Sequence, residues 1–273
     1  MVKPKSSRFF ITLVLFGVLL IFAVAAPWLS PYDPLSQNLK NTFAPPTWFG
    51  GSDLHWLGTD SLGRDLLSRI IFGARSALYV AIVGAMGAAA IGFVLGVIAG
   101  FYEGLIDSVL SRLVDIWMSF PSVLLCIVLA AVIGPGLNTV IVAIVVIDWT
   151  RFFRVVRAET IVQKSRDYVS SGIIIGLSRS QILIKEIIPN ILPLLITLLS
   201  LEMGIAIVVE AILSFVGLSS SGVPTWGGII QEGRLYVYQA WWVMALPVMC
   251  IVAAVLSINA FGDELRRSVD PIR

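Results

Sequence analysis

Long runs without charge organise this chain. Residues 9–32, 76–102, 116–147, 187–201 and 235–262 contain no Asp, Glu, Lys or Arg. A bilayer core takes roughly 20 apolar residues per helix, and backbone in lipid must satisfy its own hydrogen bonds, so the runs predict membrane helices. The run 116–147 is long enough for two, and Gly134-Pro135-Gly136 breaks it into one helix before Gly134 and another from Leu137. The pattern predicts an all-α integral membrane protein with six spans, near 9–29, 77–100, 115–133, 138–156, 191–214 and 241–261. Asp148 and Arg151 interrupt the fourth, although Phe152, Phe153, Val155 and Val156 keep one face apolar. The first reads as a retained span and not a cleaved signal peptide, because it is longer than an apolar signal region and Pro27-Trp28 replaces a small-residue cleavage site.

Composition agrees with the pattern. The 273 residues are 58% hydrophobic and 13% charged, about half the charged fraction of a soluble domain. An ordinary soluble enzyme and a disordered chain are both excluded. A net charge of +2 is too small to point to nucleic acid, and one histidine, His55, leaves almost no room for a metal cluster built by this chain alone. Cys126 and Cys250 each fall within an apolar span and read as small buried hydrophobes. Fourteen Lys and Arg residues fall on one side of the spans, among them Lys3, Lys5, Arg8, Arg266, Arg267 and Arg273. Five fall on the other: Lys40, Arg64, Arg69, Arg75 and Arg234. The positive-inside bias predicts that both termini are cytoplasmic.

Three connections exceed a minimal helix-to-helix loop. In the first, outside, Leu62, Leu66, Ile70 and Phe72 are spaced as a short amphipathic helix with Thr59 or Asp60 as N-cap. It is expected to lie along the membrane surface, as a packing element or a contact for an external partner. The second, inside, carries seven basic and three acidic residues between Arg151 and Glu186, mixed with Ile173, Ile174, Ile175 and Ile182, Leu183, Ile184. A purely solvated loop has no reason to show those apolar runs, which suggests a protein partner; the basic charge also suits topology or anionic lipid. The third, outside, places Gly217, Gly222, Pro224, Gly227 and Gly228 around Trp226. It suits a gate, a receptor seat or an interfacial plug with aromatic anchors.

An unpaired acid in the membrane costs roughly 2.5–3.5 kcal/mol, so Asp148, Glu202 and Glu210 should face a polar pathway, an interface or a neighbouring subunit. Glu202 and Glu210 share one helical face. There is no phosphate-binding GxxxxGK[ST] loop and no HExxH, and the run GLSSSG at 217–222 does not fit GxSxG. Catalysis by this chain is therefore not expected. Two classes remain: a pore energised through the cytoplasmic loop, or a self-sufficient secondary transporter, which would more naturally show inverted repeats.

Four segments resemble one family: GTDSLGRDLLSRIIFGARSAL (58–78), RDYVSSGIIIGLSRSQILIKEIIPNILPLLI (166–196), SFVGLSSSGVPTWGGIIQEGR (214–234) and FGDELRRSVDP (261–271). They look like the C-type permease subunit of dipeptide/oligopeptide ABC importers. The resemblance implies a type I permease core in a bacterial or archaeal inner membrane. It also implies a homologous second permease as heterodimer partner, two cytoplasmic ABC ATPase subunits that use ATP and Mg, and an extracytoplasmic substrate-binding protein. Nickel chelates, glutathione and oligosaccharides are cargo alternatives to peptide. The implied division is an N-terminal helix with external loop and interfacial helix (1–73), a five-helix core (74–263) and a cytoplasmic tail (264–273). The implied ATPase-coupling loop contains Asp167, Tyr168, Ser170, Gly172, Gly176, Ser178, Arg179 and Pro189. The family pattern there is EAA, three residues, Gly, nine residues, then I-x-L-P. Gly176 and Pro189 match it, whereas Ser170, Ser171 and Gly172 stand in for EAA, and Glu186 and Ile188 for Ile and Leu; the glycine permits a tight turn between two short helices, and Pro189 restricts Ile188 before the fifth span begins. Gly217, Pro224, Trp226 and Gly227 are the implied external gate or receptor seat.

Overall fold

A computed structural model describes residues 7–218 and 222–269. Lys3, Lys5, residues 219–221, Pro271 and Arg273 lie outside the described residues. The chain is helical throughout the described membrane-facing parts: α1 (Ser7–Val24), α2 (Ala26–Leu29), α3 (Leu66–Tyr102), α4 (Gly104–Met118), α5 (Ser122–Ile133), α6 (Leu137–Lys164), α7 (Asp167–Ile174), α8 (Arg179–Gln181), α9 (Ile188–Phe215), α10 (Trp226–Gly233) and α11 (Trp241–Val269). Among the described residues, three helical segments are long and apolar enough to cross a membrane: Leu66–Tyr102, Arg179–Phe215 and Trp241–Ser268. These contain the expected spans at 77–100, 191–214 and 241–261.

The Gly134-Pro135-Gly136 breaker separates α5 from α6, with Gly134 and Gly136 at φ values of 99° and 158°. The expected third span is broken further. Pro121 lacks an N–H and disfavours helical backbone at Phe120, so α4 ends at Met118 and α5 begins at Ser122. From Asp148 onward α6 carries its charged residues: Asp148, Arg151, Arg154, Arg157, Glu159 and Lys164.

A separate interfacial helix before residue 77 is not what the chain forms. Leu66, Ile70 and Ile71 are buried and begin α3, which continues unbroken to Tyr102 and so runs through the expected boundary between residues 73 and 74. Its N-cap is Asp65, accepting from the Ser68 amide at 2.8 Å, and not Thr59 or Asp60. The apolar face assigned to the membrane surface is used instead against α10 and α1, because the loop folds back over the helix start.

Helices α3 and α6 pack along most of their length. The contact is made possible by Gly92, Gly96 and Gly100, four residues apart on one face. A methyl group at Gly96 would lie 2.8 Å from the Phe153 carbonyl oxygen, and one at Gly100 would lie 2.7 Å from that of Arg157. Small residues at i, i+4 and i+8 let backbones approach where lipid supplies no hydrophobic drive. Around this pair, α9 packs on α3 and α11, and α1 fills the side between α3 and α11, where Phe16 stacks on Phe261 with centroids 4.4 Å apart.

Candidate functional site

The cytoplasmic connection folds as a hairpin. Helix α7 ends in a Schellman motif: the Leu177 amide donates to Gly172 O at 3.0 Å and the Gly176 amide to Ile173 O at 3.0 Å, with Gly176 left-handed at φ 85°. Ser178 then caps the next helix reciprocally with Gln181. Only Leu177 separates the αL residue from that cap, so the turn has little freedom.

Two short helices around Gly176 were expected, with Pro189 marking the start of the fifth span. The structure corrects this. From Arg179 the chain is helical without interruption to Phe215, because residues 182–187 adopt a π-helical turn. The wider turn accommodates Pro189, which has no N–H to donate, and Asn190 Nδ2 donates to the Glu186 carbonyl at 2.6 Å. The hairpin is thus the end of one rod roughly 55 Å long at 1.5 Å per residue.

A small apolar core fixes the hairpin to the spans: Val169, Ile182 and Ile187 pack with Val97, Phe101 and Val156. Tyr168 packs on that core, and its hydroxyl donates to Gln163 Oε1 at 2.5 Å. Gly172 is buried under Leu177, whereas Asp167, Ser170, Gly176, Ser178, Arg179 and Pro189 are exposed. The solvent side shows Ile173, Ile174 and Ile175 at 62%, 84% and 76% exposure.

The basic charge around this loop is mostly consumed within the chain. Arg154 pairs with Asp115 at 2.7 Å, Arg157 donates to both oxygens of Asp107, and Lys164 pairs with Glu103 at 3.0 Å. With Arg151, four of the seven basic residues are paired, and two of them, Arg154 and Arg157, tie α6 to the acids of α4. Among the described residues, Arg166, Arg179 and Lys185 make no ion pair in the chain. The hydrogen bonds from Arg157 hold the Asp107 carboxyl below its ordinary value. A depressed carboxyl stabilises above its unfolded-state value and loses that contribution as pH falls through the folded one. This pair therefore holds α4 unchanged between pH 8 and about 5, which titrating the Asp107 carboxyl by NMR in the solubilised permease would check.

In the membrane, Glu202 of α9 accepts from Arg151 Nη1 at 2.7 Å, and Asp148 lies 3.6 Å from Arg151 Nη2. Two acids from α6 and α9 therefore converge on one guanidinium. Glu202 is 1% exposed, and among the described residues no donor lies within hydrogen-bond geometry of its Oε1. Asp148 and Arg151 border a cavity of about 290 Å³ beside Trp117 and Ser122. Glu210 is equally buried but separate, receiving a 2.5 Å hydrogen bond from Ser214. The shared helical face of Glu202 and Glu210 does not bring them to one site, because Glu202 accepts from Arg151 and Glu210 from Ser214.

The expected gate residues are mostly internal. Gly217, at φ 89°, ends α9 in a second Schellman motif, with Leu218 donating to Leu213 O at 2.9 Å and Gly217 to Ser214 O at 3.0 Å. Trp226 is 2% exposed; its indole lies against Gly73 and donates to Ile70 O at 3.0 Å. Gly227 fits against the Ala211 backbone, and Pro224 O accepts from Ser76 Oγ at 2.9 Å.

Beside them lies a charge network that the residue pattern had not singled out. Asp60 is fully buried and is shared by Arg64 Nε, at 2.7 Å, and Arg69 Nη1; both arginines also reach Glu232 of α10, at 2.5 and 2.7 Å. The spacing of Asp60, Arg64 and Arg69 was a visible signal. The fourth partner, 163 residues from Arg69, was not.

A family described as the binding-protein-dependent transport system inner membrane component matches residues 92–271, and one described as the N-terminal TM domain of oligopeptide transport permease C matches residues 5–46. The chain is similar to a di/tripeptide transport system permease protein of Pseudomonas aeruginosa, 38% identical over 261 residues, covering 94% of this chain and 86% of that one. A dipeptide transport system permease protein of Haemophilus influenzae is 34% identical over 96% and 89% of the two chains. A glutathione transport system permease protein of Pectobacterium atrosepticum is 37% identical over 93% and 84%. Among solved structures, an inward-facing MetNI methionine ABC transporter matches with a TM-score of 0.63 at 22% identity, covering 75% of this chain and 96% of that one. That likeness supports an all-helical permease fold.

Proposed function

The chain belongs to the binding-protein-dependent transport system inner membrane component family, and on that premise we propose that it forms half of the translocation pore of an ATP-driven importer of di- and oligopeptides. It is a non-catalytic, multi-pass permease subunit of the bacterial inner membrane, working with ABC ATPases and a binding protein. In the proposed assembly a homologous second permease completes the pore as a heterodimer, two ATPase subunits bind and hydrolyse ATP, and six spans leave both termini cytoplasmic. Residues 1–73, 74–263 and 264–273 are then functional divisions, entrance, core and tail, since α3 crosses the first boundary.

The observation that carries the coupling role is the hairpin: three isoleucines face solvent on a rigid turn whose second arm is continuous with α9. Burying one isoleucine contributes roughly 1.5–3 kcal/mol, so a partner that covers this face gains strongly from it. Closure of the ATPase pair pushes on Asp167, Ser170, Gly176, Ser178 and Arg179. The rod carries the displacement to Glu202, which moves against Asp148 and Arg151 of α6 and reshapes the pathway between two states. In this reading Arg151, with its side chain 42% exposed, and Asp148 meet the cargo, while Glu202 holds Arg151. Glu210 steadies the outer end of α9. Trp226, Gly227, Gly217 and Pro224 support the outer gate from behind.

Replacing Ile174 with Asp tests the docking face. The side chain is exposed, so the permease is expected to assemble normally in detergent, while recovery of the ATPase subunits in a pull-down falls about tenfold or more. Recovery equal to wild type would remove the isoleucine face from the ATPase interface.

A further inference from the structure

A cavity lies at the outer ends of the spans, apart from the coupling hairpin and the buried acids. It measures about 830 Å³, within the range of small-ligand sites. Helix α3 contributes Phe72, Arg75 and Tyr79, which recur on one face of the helix; the loop contributes Tyr32 and Asp33. Arg75 is the only Lys or Arg and Asp33 the only Asp or Glu on the lining. Among the described residues, neither forms an ion pair within the chain.

The walls are fixed in advance of any ligand. The Tyr32 amide donates to Ser68 Oγ at 3.1 Å and its hydroxyl to Leu54 O at 2.8 Å, while its ring packs 5.0 Å from that of His55. Asp33 Oδ1 accepts the Leu35 amide at 2.9 Å, which orients the carboxylate and leaves its other oxygen free of partners among the described residues. Proline rings on both sides, Pro34 and Pro224, are buried and stiffen the rim. A cation and an anchored anion on the lining of one cavity, with Tyr32, Phe72 and Tyr79 beside them, match a molecule carrying both charges and an apolar body.

We propose that this cavity binds a short zwitterionic peptide on its way into the pore, with Arg75 taking the terminal carboxylate, Asp33 the ammonium group, and Tyr32, Phe72 and Tyr79 the side chains. The proposal rests on the peptide-importer reading above. It goes beyond that reading by giving the permease a cargo contact at its outer end, apart from Asp148 and Arg151 and distinct from that of the binding protein. A guanidinium pairs with a carboxylate bidentately, whereas lysine offers a point charge, so Arg75→Lys retains binding only in part. A zwitterionic lipid headgroup shares the charges but not the need for aromatic walls formed partly by an external loop.

The test uses the assembled permease and ATPase complex in nanodiscs, with Tyr79 replaced by the photocrosslinker p-benzoylphenylalanine and tritiated Ala-Phe as probe. Peptide labelling at position 79 is expected, and unlabelled Ala-Phe should compete at least about tenfold better than its C-terminal amide. Adding Arg75→Ala should weaken labelling about tenfold or more, from loss of a charge-assisted pair, with Arg75→Lys intermediate. Labelling unaffected by Arg75→Ala, equal competition by the amide, or crosslinks to lipid or to added binding protein in place of peptide would overturn the site. ATPase stimulation by peptide-loaded binding protein, measured in parallel without the crosslinker, separates the two claims. Stimulation without labelling defeats only this cavity, whereas absence of stimulation in the wild-type complex defeats the importer reading.

Discussion

Replacing Asp60 with alanine is expected to destabilise the permease by about 3–5 kcal/mol, the cost of leaving a buried ion without its partner. Asp60 is 0% exposed and serves two arginines whose side chains are themselves 10% and 4% exposed. It also accepts the Leu62 and Arg64 amides, at 2.8 and 3.0 Å, so removal orphans backbone donors as well as charge. Glu232 cannot take over, because it already bonds both arginines from the solvent side. The effect should reach α10, since the network joins the first external loop to the segment that seats Trp226. Thermal unfolding of the detergent-solubilised chain, followed by tryptophan fluorescence, checks this. A midpoint roughly 10 °C lower is expected, with Glu232→Gln much milder. An unchanged midpoint for Asp60→Ala would mean that the network does not hold the outer loops together.

The second large effect is expected from Gly96→Leu. A β-carbon there would sit 2.8 Å from the Phe153 carbonyl oxygen and 3.1 Å from Val156 Cβ, and a backbone atom cannot rotate aside. Overpacking costs roughly 1–3 kcal/mol where side chains can yield and more where they cannot. Leucine should therefore force α3 and α6 apart, and the folded fraction on size-exclusion chromatography should fall severely. Gly17→Ala is the matched control, since nothing lies within 4 Å of the added atom, and alanine is the better helix former. Equal behaviour of the two variants would mean that the glycine face is not a helix contact.

These two sites differ in how far the sequence exposes them. Spans at 77–100, 191–214 and 241–261 are legible because a membrane imposes length and hydropathy on each helix separately. The breaks at Gly134-Pro135-Gly136 and Gly176 are legible because glycine and proline act through their own backbone. Reading fails where the cause is another segment. The start of α3 looks amphipathic and interfacial until the loop folding over it is known. The basic residues from Arg151 to Lys164 look like a docking surface until Asp107, Asp115 and Glu103, 39 to 61 residues away, are seen to neutralise three of them. Pro189 reads as a helix boundary, and only the π turn before it shows how the helix passes through. The coupling assignment accordingly changes its basis, from the charge of the loop to three exposed isoleucines and a continuous rod.

The most direct test of the account is substrate-stimulated ATP hydrolysis by the complete reconstituted importer carrying Gly176→Val. The space around Gly176 is open, so valine introduces no clash, but its φ of 85° is strained for a β-branched residue by roughly 1–3 kcal/mol. The Schellman turn should distort while the spans and their packing remain intact. The account predicts that the variant assembles with its ATPase subunits but loses most of the stimulation by peptide-loaded binding protein, with Gly176→Asn retaining more because asparagine tolerates the left-handed region. Stimulation and peptide uptake equal to wild type in the valine variant would contradict it.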